Sequence, residues 1–532
     1  MRNIRNKIIF TAIVILVIVG SLLFTSLSYK PAATANVFMT YLTSEPGLLD
    51  PAKASDVNAA TVMAKLYNGL LRYDENMKLV PDLAESYEVS EDSTEFVFRL
   101  RPDIYFHNGQ KLTAADVAYS FERILDPQTA SSRVWVLERL LGAKEKLEGK
   151  ADYTEGITAL DDHTVILKLE EPFAPFLSLL AMPACYVLPS ESAASIKNKT
   201  FFEKPAGTGP YILEDRVVDN YIKLKTNPAY FAQKPKVDGI TIRIILENLR
   251  AEIDFERGAL DLLQLYPSSY ARFRANPKHA SRINEIPALN VFYIGLNNQK
   301  PPFDNPKVRK ALNMFIDRDL IIKELYSGTC TKAIGSIPPG VAGYSPEPND
   351  IAYNPEAGLK LLEEAGYNQD NPLKFTIHRR TSQSAAEITQ LIQGELQKHG
   401  IVVEIQPIEW NAMKEAIEKS ETQAFYLSWF GDYPDAENFL YPLFHSKNFG
   451  SGGNRAMFKD EEIDKALEEA VKENDETARN AMYSNINAKV ADLAPWIYLW
   501  HTNETYVTSE RVASMKFYPL FFCDKGLTVS LN

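Results

Sequence analysis

The sequence predicts an α/β protein built as two or three lobes, and three observations carry that expectation. The chain has 532 residues, more than one hydrophobic core of about 250–300 residues can organise. Strand-like and helix-like patterns alternate along its whole length, which favours an α/β or α+β build. The stretch 373–429 reads strand–helix–strand–helix–strand, a spacing that favours parallel pairing with right-handed crossovers. Hydrophobic residues make up 45% and charged residues 24%, as in soluble globular proteins. The net charge of −12 argues against nucleic acid, whose phosphates need Lys and Arg.

Arg2, Arg5 and Lys7 precede a charge-free apolar run, Ile8 to Ser28. A basic end before such a run is an export signal or a membrane anchor, and it sends the remainder of the chain outside the cytoplasm. Residues 1–35 are therefore read as a signal peptide or N-terminal membrane anchor. Ala33-Thr34-Ala35 is a cleavage-like site lying well beyond the apolar core, and no cysteine follows the run to carry a lipid.

Thr94 to Arg101 alternates and is rich in Phe and Val, so it reads as a strand. His107-Asn108-Gly109 signals a turn. Thr113 and Asp116 form a capping box, and Val117, Phe121, Ile124 and Leu125 make the apolar face of the helix that follows. Asn305-Pro306 opens another helix, with Val308, Ala311, Leu312 and Phe315 as its stripe. Leu373 to His378 reads as a strand, Ile388 to Leu396 as a helix closed by Gly400, and Ile401 to Ile408 as a second strand. A short helix near Asn411 to Glu418 leads to a third strand, Ala424 to Trp429.

Ligands collect beyond the carboxyl ends of such strands. Arg379 and Arg380 follow the first strand and Asp432 follows the third, so opposite charges at one edge could hold the two ends of a zwitterion. The bland alternative is solvated loop charges. Trp410, Trp429, Trp496 and Trp500, with Tyr426 and Tyr433, either line an apolar cleft or belong to the core. No HExxH, GxSxG, P-loop or GxGxxG motif occurs, so no catalytic residue, cofactor or metal is assigned. The seven histidines lack metal-ligand spacing. Gly450-Ser451-Gly452-Gly453 reads as a surface turn. Cys185, Cys330 and Cys523 are distant and odd in number, which suits buried free thiols, with one disulfide left open.

Several segments in order resemble the solute-binding family of oligopeptide- and dipeptide-binding proteins of ABC importers. These are Glu45 to Ala52, Asn68 to Leu71, Pro81 to Ser86, Phe98 to Arg123, Pro205 to Tyr211, Pro306 to Asp317 and Trp429 to Phe439. The similarity covers almost the whole chain after residue 36. It implies a bilobal periplasmic-binding-protein-like fold with an extra inserted lobe. Lobe I would comprise 36–68, 196–290 and 500–532, the inserted lobe II 69–195, and lobe III 291–499. The resemblance gives Asp432 the ligand's α-amino group and places Trp429 and Gly431 in the pocket wall. It gives Arg379 the ligand carboxylate, with Arg380 as the adjacent rival, and it matches Ser55 and Val57 to positions whose backbone pairs with an extended peptide. It further implies a monomer that traps peptide by hinge closure and hands it to the membrane permease subunits, which work with cytoplasmic ATPases. Family alternatives are a nickel complex, haem, an opine or an oligosaccharide as ligand. A different class of alternative is a membrane-tethered peptide receptor or chaperone.

Overall fold

A computed structural model describes residues 36–54, 56–346 and 351–532. The expected signal or anchor (1–35) and Ser55 lie outside the described residues. The fold is mixed α/β. Val37–Leu42 pairs in parallel with Gly239–Ile244, which continues antiparallel into Tyr221–Thr226 and Tyr211–Val217 as a four-stranded sheet. A second, antiparallel sheet runs Ala84–Val89, Glu95–Leu100, Thr164–Lys168, Ile157–Asp161. The expected strand over 94–101 is the second of these.

The largest sheet has eight strands. Its far end carries the expected parallel unit: Lys374–Arg380 pairs in parallel with both Val402–Ile408 and Ala424–Phe430. Helices Gln383–Gln397 and Trp410–Glu418 connect them. Both outer predictions of strand length were short. The first strand runs through Arg379 and Arg380 rather than stopping before them, and the third includes Phe430. Ladder pairing decides this, since Arg379 sits opposite both Pro407 and Tyr426.

One long strand, Trp496–Thr508, joins two parts of this sheet. Its first half pairs with Asn290–Leu296 and its second half with Leu262–Leu265 and Ile283–Pro287. Where the chain passes from 287 to 290 beside 501–503, the crossing is stitched. Asn290 exchanges two side-chain hydrogen bonds with Thr502 (2.8 and 3.0 Å), and the ring Nδ1 of buried His501 lies 2.6 Å from the Asn290 carbonyl.

Several recognised segments are explained by packing. The capping box on Ala114–Leu125 forms, and Asp116 also accepts from the backbone and hydroxyl of Ser190 (2.7 and 2.8 Å). Arg123 at the end of that helix makes a bidentate pair with buried Asp50 (2.7 and 2.5 Å). Gly207 and Gly209 pass so close to the end of helix Val57–Leu66 that an added Cβ would lie 2.0 Å and 2.4 Å from Leu66 backbone atoms. Trp496 and Trp500 are core residues. All three cysteines are free. Burial pushes the Cys185 and Cys523 thiols far up and Cys330 up to about 12. Among the described residues, no helix is long and apolar enough to cross a membrane.

Candidate functional site

The strand Ala424–Phe430 ends by turning sharply at Gly431. Its N–H donates to Leu289 O (2.7 Å), and a Cβ there would lie 2.6 Å from the Phe439 ring. Only a glycine permits this approach without shifting the ring. The turn delivers Asp432 into a cavity of about 530 Å3 whose walls include Trp429, Tyr433 and Phe449 on one side and Trp135, Arg139 and Phe173 on the other. The Asp432 N–H donates to Asn438 Oδ1 (3.0 Å), which fixes its backbone.

The Asp432 carboxylate is 36% exposed and faces Arg133 Nη1 at 3.5 Å. Burial raises its pKa, while the Arg133 charge and hydrogen bond pull it back down. Arg133 also donates through Nε to Ala54 O (3.3 Å), so it spans the opening loop and the strand end. Behind Asp432, Tyr433 donates to Glu437, whose carboxyl burial pushes up to about 7. Tyr433 stacks with Trp135 across the cavity (6.4 Å between centroids).

The predicted residues are only partly gathered. Asp432, Gly431 and Trp429 come together. Val57, 51% exposed, opens the helix Val57–Leu66 and lines a separate cavity of about 470 Å3 with Asp56, Asn58, Tyr506 and Phe517. Arg379 shares a sheet face with Ile377 and Tyr426, which belong to the core on the far side of the sheet from Trp429. Its Nη1 donates to Arg380 O (2.9 Å), and its Nε is buried without a partner among the described residues. Arg380 falls on the Trp429 side, 5.3 Å over the Trp410 ring. Two neighbours of this site escaped the sequence reading: Arg133, which faces Asp432, and Arg455, which lies 5.5 Å over the Trp429 ring. Arg133 carries no local signal, and Arg455 follows the glycine-rich turn that read as mere surface, although Gly450, Gly452 and Gly453 line the Asp432 cavity.

Residues 78–451 match the pattern of the bacterial extracellular solute-binding proteins, family 5 (middle). The chain belongs to this family. Family 5 proteins are extracytoplasmic binding proteins rather than enzymes, and their periplasmic-binding-protein fold is the one seen here. Among curated relatives, di/tripeptide-binding protein 2 of Pseudomonas aeruginosa is 31% identical, with 86% of this chain and 87% of that protein aligned. Heme-binding protein A of Haemophilus influenzae is 30% identical over 92% of this chain and 91% of its own. Among solved family 5 structures, the ABC transporter-associated periplasmic binding protein DppA from Helicobacter pylori, in complex with the peptide STSA, superposes with a TM-score of 0.75. It is 25% identical and covers 93% of this chain and 98% of its own.

Proposed function

We propose that this chain captures di- or oligopeptides outside the cytoplasmic membrane and delivers them to the permease of an ABC importer. The observation that carries the reading is Asp432: a part-exposed carboxylate beyond a strand end, in an aromatic cavity, already facing a cation at 3.5 Å. A ligand α-ammonium suits the same acceptor. The peptide-binding names among its relatives support the reading. Arg380, on the Trp429 side of the sheet, is the better placed of the two adjacent arginines for a ligand carboxylate. Ser55 and Val57 would offer backbone to the peptide, because main-chain pairing is indifferent to side-chain identity.

The reading carries three further parts. The lobes are 36–68, 196–290 and 500–532 (I), 69–195 (II) and 291–499 (III), and they close about the crossing at 287–290 and 501–503. The protein acts as a monomer. Residues 1–35 export it and either leave as a signal peptide or hold it at the outer face of the membrane.

Closure buries the amine–carboxylate pair, and removing one partner then costs about 3–5 kcal/mol, or about 10²- to 4 × 10³-fold in affinity. Asp432→Asn keeps the shape and removes the charge. By calorimetry it should weaken free peptides by that factor and N-acetylated peptides far less. Equal affinity of the variant and the parent for both classes would favour a non-peptide ligand instead.

A further inference from the structure

An amine at Asp432 and a terminal carboxylate at Arg380 leave Arg455 unused at this edge, where Lys414 also lies 5.7 Å over the Trp410 ring. Arg455 lies between two indoles, with its guanidinium carbon 5.5 Å from the Trp429 ring centroid and 5.9 Å from that of Trp410. Its Nε donates to Ser451 O (2.9 Å), and its Nη1 reaches Tyr293 OH at 3.5 Å. Ser451 is itself held, its N–H donating to Glu418 Oε2 (2.9 Å). Contact with aromatic faces fixes a guanidinium without consuming its edge N–H groups. Among the described residues no carboxylate lies within ion-pair distance of Arg455. The group is thus a half-buried, pre-oriented fork whose Nη1–Nη2 end keeps N–H donors beyond those given to Ser451 and Tyr293, which suits bidentate capture of a carboxylate at little further ordering cost.

Its place along the edge says which carboxylate. The order is Asp432, Trp429, Arg455, Trp410, Arg380, each cation and ring in contact with the next from Trp429 onward. An extended chain anchored by its amine at Asp432 and ending at Arg380 passes Arg455 midway. A group meeting Arg455 therefore leaves the ligand sideways. We propose that Arg455, bracketed by Trp410 and Trp429, is a subsite for an acidic side chain, so that the protein selects peptides carrying Asp or Glu. This rests on the peptide reading above.

The test uses isosteric ligands with identical termini, Ala-Glu-Ala and Ala-Gln-Ala, each also as its C-terminal amide, measured by calorimetry on the full exported chain. The parent protein should bind the glutamate peptide at least about tenfold tighter, the scale of one hydrogen bond to a charged group. Arg455→Gln should bind the two peptides alike, and Arg455→Lys, which keeps the charge but not the fork, should recover part of the preference. Thermal melting establishes that each variant is folded. Equal affinity of the parent for the two peptides overturns the inference and leaves the peptide reading standing. So does a preference that survives in Arg455→Gln. If Arg455→Gln instead erases the advantage of free acid over amide, Arg455 holds the ligand terminus and the side-chain assignment is wrong. Failure of the parent to bind any of the four peptides overturns both readings together.

Discussion

Glu437 and Asp432 lie within one turn of each other and make opposite demands on pH. Glu437 is buried against the Tyr433 hydroxyl, and desolvation lifts its pKa from 4.5 to about 7. The native state therefore holds this proton more tightly than the unfolded chain does. Its stabilising contribution is complete below about pH 4.5 and is lost as pH rises through 7. The shift corresponds to about 3 kcal/mol. Relative to Glu437→Gln, the parent protein should lose stability over that interval, as followed by urea denaturation at a series of pH values. A parallel pair of stability profiles would contradict the assignment. In the proposed role Asp432 holds an amine through its charge, and Arg133 pulls down the pKa that partial burial raises. Asp432 was legible in the sequence because it follows an apolar alternating run and a glycine. The choice between Arg379 and Arg380 was not. Side chains alternate faces along a strand, so the answer depends on the paired length of the strand, which Pro407 and Tyr426 set from other segments. Arg133 and Arg455 were invisible for the same reason: each acquires meaning only from a partner far away in the chain.

At the scale of elements, local chemistry was read well wherever it was self-sufficient. The capping box at Thr113 and Asp116, the Asn305-Pro306 helix start and the Gly400 stop all stand where composition placed them. What composition did not reveal is that these same elements are tied across long sequence distances. The helix Ala114–Leu125 is anchored by Arg123 to Asp50, 73 residues away. Asp50 is only 1% exposed, so Arg123→Met should strand a buried carboxylate and cost about 3–5 kcal/mol of stability. Chemical denaturation would register this as a lower midpoint. Restoration of the midpoint by adding Asp50→Asn would identify the stranded charge, rather than lost packing, as the cause. The glycine-rich stretch 450–453 reads as a surface turn in the sequence. Its residues do form a turn, but contact with Glu418 carries that turn into the cavity wall.

At the scale of the molecule, the strand Trp496–Thr508 is hydrogen-bonded to neighbours on both sides of the crossing, and the proposed closure would bend it there. Burial holds His501 neutral, its pKa pushed down to about 4 against the upward pull of the Asn290 carbonyl, so the crossing gains no charge between neutral pH and mild acid. Saturation with peptide should make the protein more compact, and small-angle scattering should show a smaller radius of gyration in the bound state. Identical profiles with and without ligand would rule out closure as the means of capture. The same motion can be followed one molecule at a time. Maleimide dyes react with thiolates, and the three natural thiols are buried or half-buried and titrate far above neutral pH. A pair of new surface cysteines, one on either side of the cavity, can therefore carry donor and acceptor fluorophores on the otherwise unaltered chain, and opening and closing become a change in colour.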